Sequence, residues 1–269
     1  MKVRIALGIL CAFFLIAVFS PLIAPDPTLH PDLALRFAPP SSEALLGRDH
    51  NGVDVLSEIM LGARTTLSIS LATVAIGVFI GLMIGSLAGY MGGYIDLALT
   101  RMIDMVQAFP GFLLALSLVA VLGPSTFNLL LALCLTSWAG FARLVRAEVL
   151  HLKSRDYVTA ALACGASSSR LLGRHIWPSI ASILSVQATY GISGVILAES
   201  GLSFLGLGVS SGTPSWGTLM NHGRLNLTEA PHVNLFTGLA IVILVASVQV
   251  LGEALRKRLS PRERSELQF

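Results

Sequence analysis

The feature that most constrains this chain is the recurrence of long stretches that carry no charge. Six windows, Ile5–Pro25, Thr66–Tyr90, Met105–Gly123, Pro124–Ala142, Ser179–Ala198 and Val233–Gly252, contain no Asp, Glu, Lys or Arg. Each is close to the roughly 20 apolar residues that a helix needs to cross a bilayer. In lipid the backbone must satisfy its own polar groups, so such windows fold as helices. Only 12% of the residues are charged, about half the share of a soluble domain. The expected fold is therefore all-α: a polytopic membrane protein with six transmembrane helices. The third and fourth windows abut at Gly123–Pro124, which reads as the tight turn of a helical hairpin. Lys2 and Arg4 precede the first window. It is long for a signal peptide and no A-x-A site follows, so it is expected to remain as a helix.

Orientation follows from the basic residues. With the N-terminus inside, 14 of the 18 Lys and Arg fall on the inner side. They include Arg143, Arg146, Lys153, Arg155, Arg170 and Arg174 of one loop and Arg256, Lys257, Arg258, Arg262 and Arg264 near the C-terminus. Only Arg36, Arg48, Arg64 and Arg224 fall outside. This asymmetry places both termini in the cytoplasm. The chain then divides into an N-terminal helix with its external loop (1–63), a transmembrane domain (64–253) containing a cytoplasmic loop at 154–178, and a basic cytoplasmic tail (254–269).

Several functions are excluded or disfavoured. Lys2, Lys153 and Lys257 are the only lysines, and none follows a glycine, so there is no Walker A loop and the chain is not expected to hydrolyse ATP by itself. "GVSSG" at Gly208–Gly212 matches G-x-S-x-G, but no strand–turn–helix context surrounds it. No basic patch carries interleaved aromatics, so no nucleic-acid partner is expected. Cys11, Cys134 and Cys164 show neither disulfide nor zinc spacing. His30, His50, His222 and His232 are scattered, without ligand spacing. They read as surface residues, and no metal site is expected, although imidazole suits nickel. No window has an ionisable residue at its centre, which disfavours an ion-coupled carrier. Glu199, at the end of the fifth window, keeps that alternative open.

Two stretches have local character. Gly77, Gly81, Gly85 and Gly89 recur every four residues and share one helix face, which suits close backbone packing. In "YVTAALACGASSSRLLGRHIWPS" (Tyr157–Ser179), Tyr157, Ala160, Ala161 and Cys164 share a face of small side chains. Gly165 permits a turn, and Ser167, Ser168 or Ser169 is placed to cap a second helix. That helix carries Leu171, Leu172 and Ile176 inward, Arg170 and Arg174 outward, and ends at Pro178. Two short helices at an angle would project from the membrane and fit a partner's socket. An interfacial pair lying on lipid headgroups is the other reading.

The same stretch resembles the loop of ABC-importer permeases, with the pattern E-A-A, three residues, G, then a spacer ending in I-x-L-P. Ala160, Ala161, Gly165, Ile176 and Pro178 match, while Thr159 replaces the Glu and Trp177 the Leu. "GRDHNGVDVLSEIMLGARTTLSI" (Gly47–Ile69) resembles a segment of the dipeptide, oligopeptide and nickel permeases, with Val53 and Glu58 replacing basic residues. "AGYMGGYIDLALTRMIDMVQAFP" (Ala88–Pro110) resembles their cytoplasmic turn between spans two and three. "ESGLSFLGLGVSSGTPSWGTLM" (Glu199–Met220) is close to a family signature, and "LGEALRKRLSPR" (Leu251–Arg262) resembles the family's tail.

The resemblance implies a non-catalytic permease subunit of a bacterial inner-membrane importer. It would form half of the pore with a second, different permease subunit, a path for di- or oligopeptides, with nickel as the alternative cargo. Two ABC ATPase subunits would use ATP and Mg, and this chain itself would hold no cofactor. An extracytoplasmic solute-binding protein would deliver substrate. The loop residues Thr159, Ala160, Ala161, Gly165, Ile176 and Pro178 would couple to the ATPases through a helix between spans four and five. Glu199, Ser203, Phe204, Gly206, Gly208, Pro214 and Trp216 would lie in a gate or binding-protein region. Asp26–Arg64 and Gly206–His232 would form the outer face.

Overall fold

The computed structural model describes residues 1–210 and 212–259. Among these there are ten α-helices and no strand: α1 (Lys2–Ile23), α2 (Val55–Met91), α3 (Gly93–Gln107), α4 (Gly111–Leu122), α5 (Thr126–Lys153), α6 (Asp156–Ala163), α7 (Ser168–Leu171), α8 (Trp177–Phe204), α9 (Trp216–Arg224) and α10 (Pro231–Leu259). The tail matches at Pro261 and Arg262, and the charges of Arg262 and Arg264, lie outside the described residues.

Five helical stretches are long and apolar enough to cross a membrane: α1, α2, α5, the run Ser168–Phe204, and α10. A sixth crossing requires α3 and α4 together, and these are bent by 79°. This corrects the third window, Met105–Gly123, which the absence of charge made look like one straight span. The break falls at Pro110, whose ring lacks an N–H and disfavours helix at Phe109. With 12 residues, α4 alone is about 18 Å long, well short of a bilayer core. The segment before the break is also more than a turn. Asp96 and Asp104 of α3 pair with Arg146 (2.5 Å) and Arg143 (2.7 Å) of α5, which anchors a 15-residue helix. Gly92 and Gly93, at φ +68 and +56, make the corner between α2 and α3, a backbone region that side chains resist.

The chain forms two compact units. The first comprises Met1–Ala72, Ala115–Leu133 and Ile192–Leu251. Its main core gathers Ala17, Ala63, Ile196, Trp216, Ala240, Ile241, Leu244 and Val248. A second cluster, Val55, Leu219, Ala230 and Val233, closes the end where α2 and α10 begin. Pro21 lies inside α1 and cannot donate to Ala17, whose carbonyl instead accepts from the Ser20 hydroxyl at 3.3 Å. That repair is typical of helices in lipid, where no water takes up a freed carbonyl.

The second unit comprises Thr73–Leu114, Cys134–Gly191 and the stretch from Gly252 onward. Its core packs Ile103, Trp138, Ala139 and Ala142 with Ile80, Ile84, Met102 and Val106. Small residues bring α2 and α5 together here. A methyl group built at Gly77, Gly81, Gly85 or Gly89 would lie 2.7, 2.5, 2.5 and 2.9 Å from Ser137, Phe141, Ala142 and Arg146 respectively. At Gly81, Gly85 and Gly89 the obstacle is backbone or Cβ, so the seam there accepts glycine alone, whereas at Gly77 it is the Ser137 hydroxyl, which can turn aside. Large apolar side chains such as Ile5, Phe14 and Leu22 of α1, Phe79 of α2 and Val242 of α10 point outward and are exposed. A chain spanning lipid several times presents such a surface, because lipid tails solvate it as well as a core does.

Candidate functional site

Two places carry the residues singled out by sequence. In the second unit, α6 stands on a buried Val158, while Tyr157, Thr159, Ala160, Ala163 and Cys164 are exposed and Ala161 is half-buried. Gly165 follows at φ +82. The N–H of Ala166 reaches back to the Ala161 carbonyl (3.0 Å) and that of Gly165 to Leu162 (2.9 Å). This is a Schellman ending, and it satisfies the last carbonyls of α6. A Cβ at Gly165 would meet nothing within 4 Å, so conformation rather than space is what holds glycine there.

The second helix of the loop differs from the expectation. The N-cap of α7 is Ser167, but no serine side chain caps it; the Ser167 hydroxyl lies 3.4 Å from that of Ser169. The helix does not end at Pro178 either. It runs through a wide π turn, Leu172–Ile176, directly into α8. That wider turn lets the helical path continue past a ring that a regular turn would not hold. Leu171 and Ile176 are fully buried, whereas Arg170, Arg174 and Pro178 are exposed. Side chains from neighbouring helices fix the loop. The Tyr90 hydroxyl donates to Ser168 (3.1 Å), Lys153 donates to the Tyr90 carbonyl (2.6 Å), and the Trp177 indole donates to Ser86 (3.0 Å).

The other place lies in the first unit, where α8 ends and α2 and α10 begin. Glu199 is completely buried. Its carboxylate accepts from Ser203 (2.9 Å), Thr66 (3.0 Å) and Ser200 (3.3 Å), so hydroxyls alone satisfy it. Gly206, at φ +81, ends α8 with the same Schellman bonds: Leu207 to Leu202 (2.9 Å) and Gly206 to Ser203 (3.0 Å). Gly208 and Gly217 both pack against Ser203. The Phe204 carbonyl accepts from the Asn221 amide, and a capping box of Ser215 and Thr218 starts α9.

Trp216 packs inside the first unit. It is fully buried, its indole N–H donates to the Ile59 carbonyl at 2.9 Å, and Phe13 meets its ring edge-on at 5.8 Å. Ser210, from the G-x-S-x-G match, lies beside the Thr126 hydroxyl at 3.4 Å, and among the described residues no histidine or carboxylate is bonded to its hydroxyl.

The structure brings the two long loops of this unit together. His232 Nε2 sits 3.2 Å from the Arg48 carbonyl. Asp49, His50 and His222 each place one ligand-type atom within 4.8 Å of the others, and the two imidazoles lie 4.5 Å apart, centre to centre. Loss of solvent around His222, then the facing His50, lowers the His222 pKa. Sequence spacing did not reveal this meeting, because 172 positions separate the two histidines. The one available cue was that both lie in segments assigned to the same face. His30 is exposed, bonded to Asp26 at 3.1 Å, and is not part of this group. A cleft of about 390 Å³ opens beside His50 and His222, with Glu58, Pro214 and Thr218 on its wall.

Comparison with known proteins agrees with this architecture. A family described as "Binding-protein-dependent transport system inner membrane component" matches residues 81–265. The chain is 36% identical over 97% of its length to the dipeptide transport system permease protein DppC of Alkalihalophilus pseudofirmus, covering 86% of that protein. It is 40% identical over 96% of its length to the glutathione transport system permease protein GsiD of Salmonella paratyphi A, also covering 86%. Among solved structures, the inward-facing MetNI methionine ABC transporter is similar with a TM-score of 0.56 at 18% identity, over 74% of this chain and 94% of that one. At that identity the likeness speaks to the fold.

Proposed function

The chain belongs to the binding-protein-dependent transport system inner membrane components, and from that premise we propose that it is a permease subunit of an ATP-driven importer of di- and oligopeptides in a bacterial inner membrane. The observation that carries this reading is α6. It is a helix whose side chains are mostly small and exposed, standing on the one buried Val158 and ended by a glycine turn. A helix built that way presents a face for another protein. Its place between the fourth and fifth crossings, in a loop rich in arginine, fits a cytoplasmic socket on an ATPase subunit. Both chain termini then lie in the cytoplasm as well.

In this reading the chain catalyses nothing. Two partner ATPases hold ATP and Mg, and a second permease subunit completes the pore. A solute-binding protein docks on the opposite side, near the loops that hold Pro214 and His222. Closure of the ATPases moves α6, and the Leu172–Ile176 turn passes that movement to α8. The peptide assignment is supported by the relatives, whose names specify dipeptides and glutathione.

The test is uptake in cells that lack this chain but keep its partner subunits, with and without the chain restored. Labelled dipeptide, glutathione, a longer peptide and nickel would be compared, each with ATP intact and with ATP depleted. ATP-dependent recovery of peptide or glutathione uptake is expected. Recovery of nickel uptake alone would replace the cargo. Uptake that survives ATP depletion and collapses with the ion gradient would replace the mechanism with an ion-coupled one, with Glu199 as its first suspect.

A further inference from the structure

Where α2 begins, the first unit gathers more negative charge than its cations answer. Asp49 and Asp54 lie close enough to act electrostatically on Glu58. Among the described residues, none of these three carboxylates has an Arg or Lys at ion-pairing distance. Arg48, next in sequence, donates to the Gly52 carbonyl at 2.8 Å instead. Asp49 is 1% exposed. Its Oδ1 accepts from the N–H groups of Asn51 and Val53, both at 2.8 Å, and shapes the turn. Its Oδ2, His50 Nδ1 and Glu58 Oε2 are all buried with no hydrogen bond. His50 Nδ1 approaches Asp49 Oδ2 to 2.8 Å without the alignment of a donor and acceptor. Asp49 Oδ2 and His50 Nδ1 thus answer each other by proximity alone, and Glu58 Oε2 has no hydrogen-bond partner; buried polar atoms this poorly satisfied are costly and call for one.

His222 supplies the remaining element. Its ring faces His50 at a 55° tilt, and one donor atom from each of Asp49, His50 and His222 falls within a 4.8 Å span. Nitrogen and oxygen ligands at about 2.0–2.2 Å from an ion stand roughly 3–4 Å from one another. Small side-chain rotations therefore close the group around one cation. Two imidazoles with a carboxylate select borderline transition metals over calcium or magnesium.

We infer that Asp49, His50 and His222, with Glu58 beside them, bind a divalent transition-metal ion of the zinc, nickel and cobalt class. The ion balances the carboxylates and ties the turn at 47–54 to α9, and its open side faces the cleft lined by Pro31, Pro214 and Thr218. This does not depend on what the chain transports.

The experiment uses the full chain in detergent, stripped with a chelator. Cobalt is titrated and followed by its visible absorption, zinc is measured by competition and by metal analysis, and thermal unfolding is recorded with and without metal. One ion per chain and a raised Tm with zinc are expected. His50→Gln and His222→Gln should each weaken binding by more than about tenfold, while His30→Gln, which removes an exposed histidine outside the cluster, should not. Asp49 is left intact because its backbone bonds hold the turn. Failure of the wild-type chain to take up one ion, or unchanged affinity in both glutamine variants, overturns the inference. Should a glutamine variant unfold early without metal, the wild-type cobalt spectrum and stoichiometry decide: no one-to-one binding overturns the site.

Discussion

Two helices of this chain end by the same device in opposite surroundings. Gly165 after α6 and Gly206 after α8 sit at φ +82 and +81, and in both cases the next residue folds its N–H back onto the last turn. After Gly206 the chain turns inward: Gly208, Ser215, Trp216 and Gly217 are all buried, and Trp216 fills the core of the first unit. Around Gly165 the chain faces outward, with Ala160, Ala163, Cys164 and Ser167 to Arg170 exposed. One turn builds a scaffold and the other presents a face. The hydrogen-bond pattern is the same, so the difference lies in what packs behind it, and the two should respond to mutation in opposite ways.

The largest effect is expected at the closed turn. Trp216→Ala removes a fully buried side chain and the indole bond to Ile59. Truncations of this kind cost about 3–5 kcal/mol. Thermal unfolding of the purified chain, with membrane abundance as a second readout, should show a large loss. A wild-type Tm would mean that Trp216 is not the centre of this core.

Next comes the carboxylate beneath it. Glu199→Leu deletes the shared acceptor of Thr66, Ser203 and Ser200. Hydroxyls left without a partner in a buried site cost about 1–3 kcal/mol. Thr66→Val alone should cost less, because Ser203 and Ser200 still reach Glu199. Coupling between the two substitutions, measured as a double-mutant cycle on unfolding, tests whether the cluster acts as a unit. Strict additivity would sink that idea.

The matched pair Gly206→Ala and Gly165→Ala sharpens the comparison most directly. Placing a side chain in the left-handed region costs roughly 1–2 kcal/mol, and neither site has a clash that would add to it. Gly206→Ala should lower the Tm of the whole chain. Gly165→Ala should loosen only the loop, seen as faster amide exchange at 160–170 with the global Tm unchanged. Equal shifts in Tm would show that α6 folds cooperatively with the core after all.

How far sequence reaches follows from the same contrast. The apolar windows, the glycine seam and the turn at Gly165 are local patterns, and each is written in consecutive residues. The bend at Pro110 was also local, but the uncharged window around it hid the break. The burial of Trp216 was not legible, because tryptophan suits an interface as well as a core, and its contacts with Phe13 and Ile59 come only with the fold. The meeting of His50 and His222 depends on how α2, α8 and α10 set two loops side by side. No spacing rule spans 172 positions, so the metal-ligand pattern was invisible until the fold placed it.

The smallest effect on folding, and the one that depends most on the proposed function, is at the exposed face of α6. Ala160→Glu keeps a good helix former on an exposed position, so stability should change by no more than about 0.5 kcal/mol. If α6 sits in a partner's socket, a charged side chain on its small-residue face should nevertheless cut uptake more than tenfold (roughly 1.4 kcal/mol of coupling). ATP hydrolysis by the assembled complex should continue without transport, and Gly165→Asp should behave alike. Substitution by Glu at Arg258, exposed at the end of α10 and outside the loop, is the control and should leave uptake nearer to normal. Full uptake in Ala160→Glu at equal membrane abundance would mean that α6 is not the coupling surface. Its exposed alanines would then belong to a helix resting on lipid headgroups, and the contrast between the two turns would be one of burial alone.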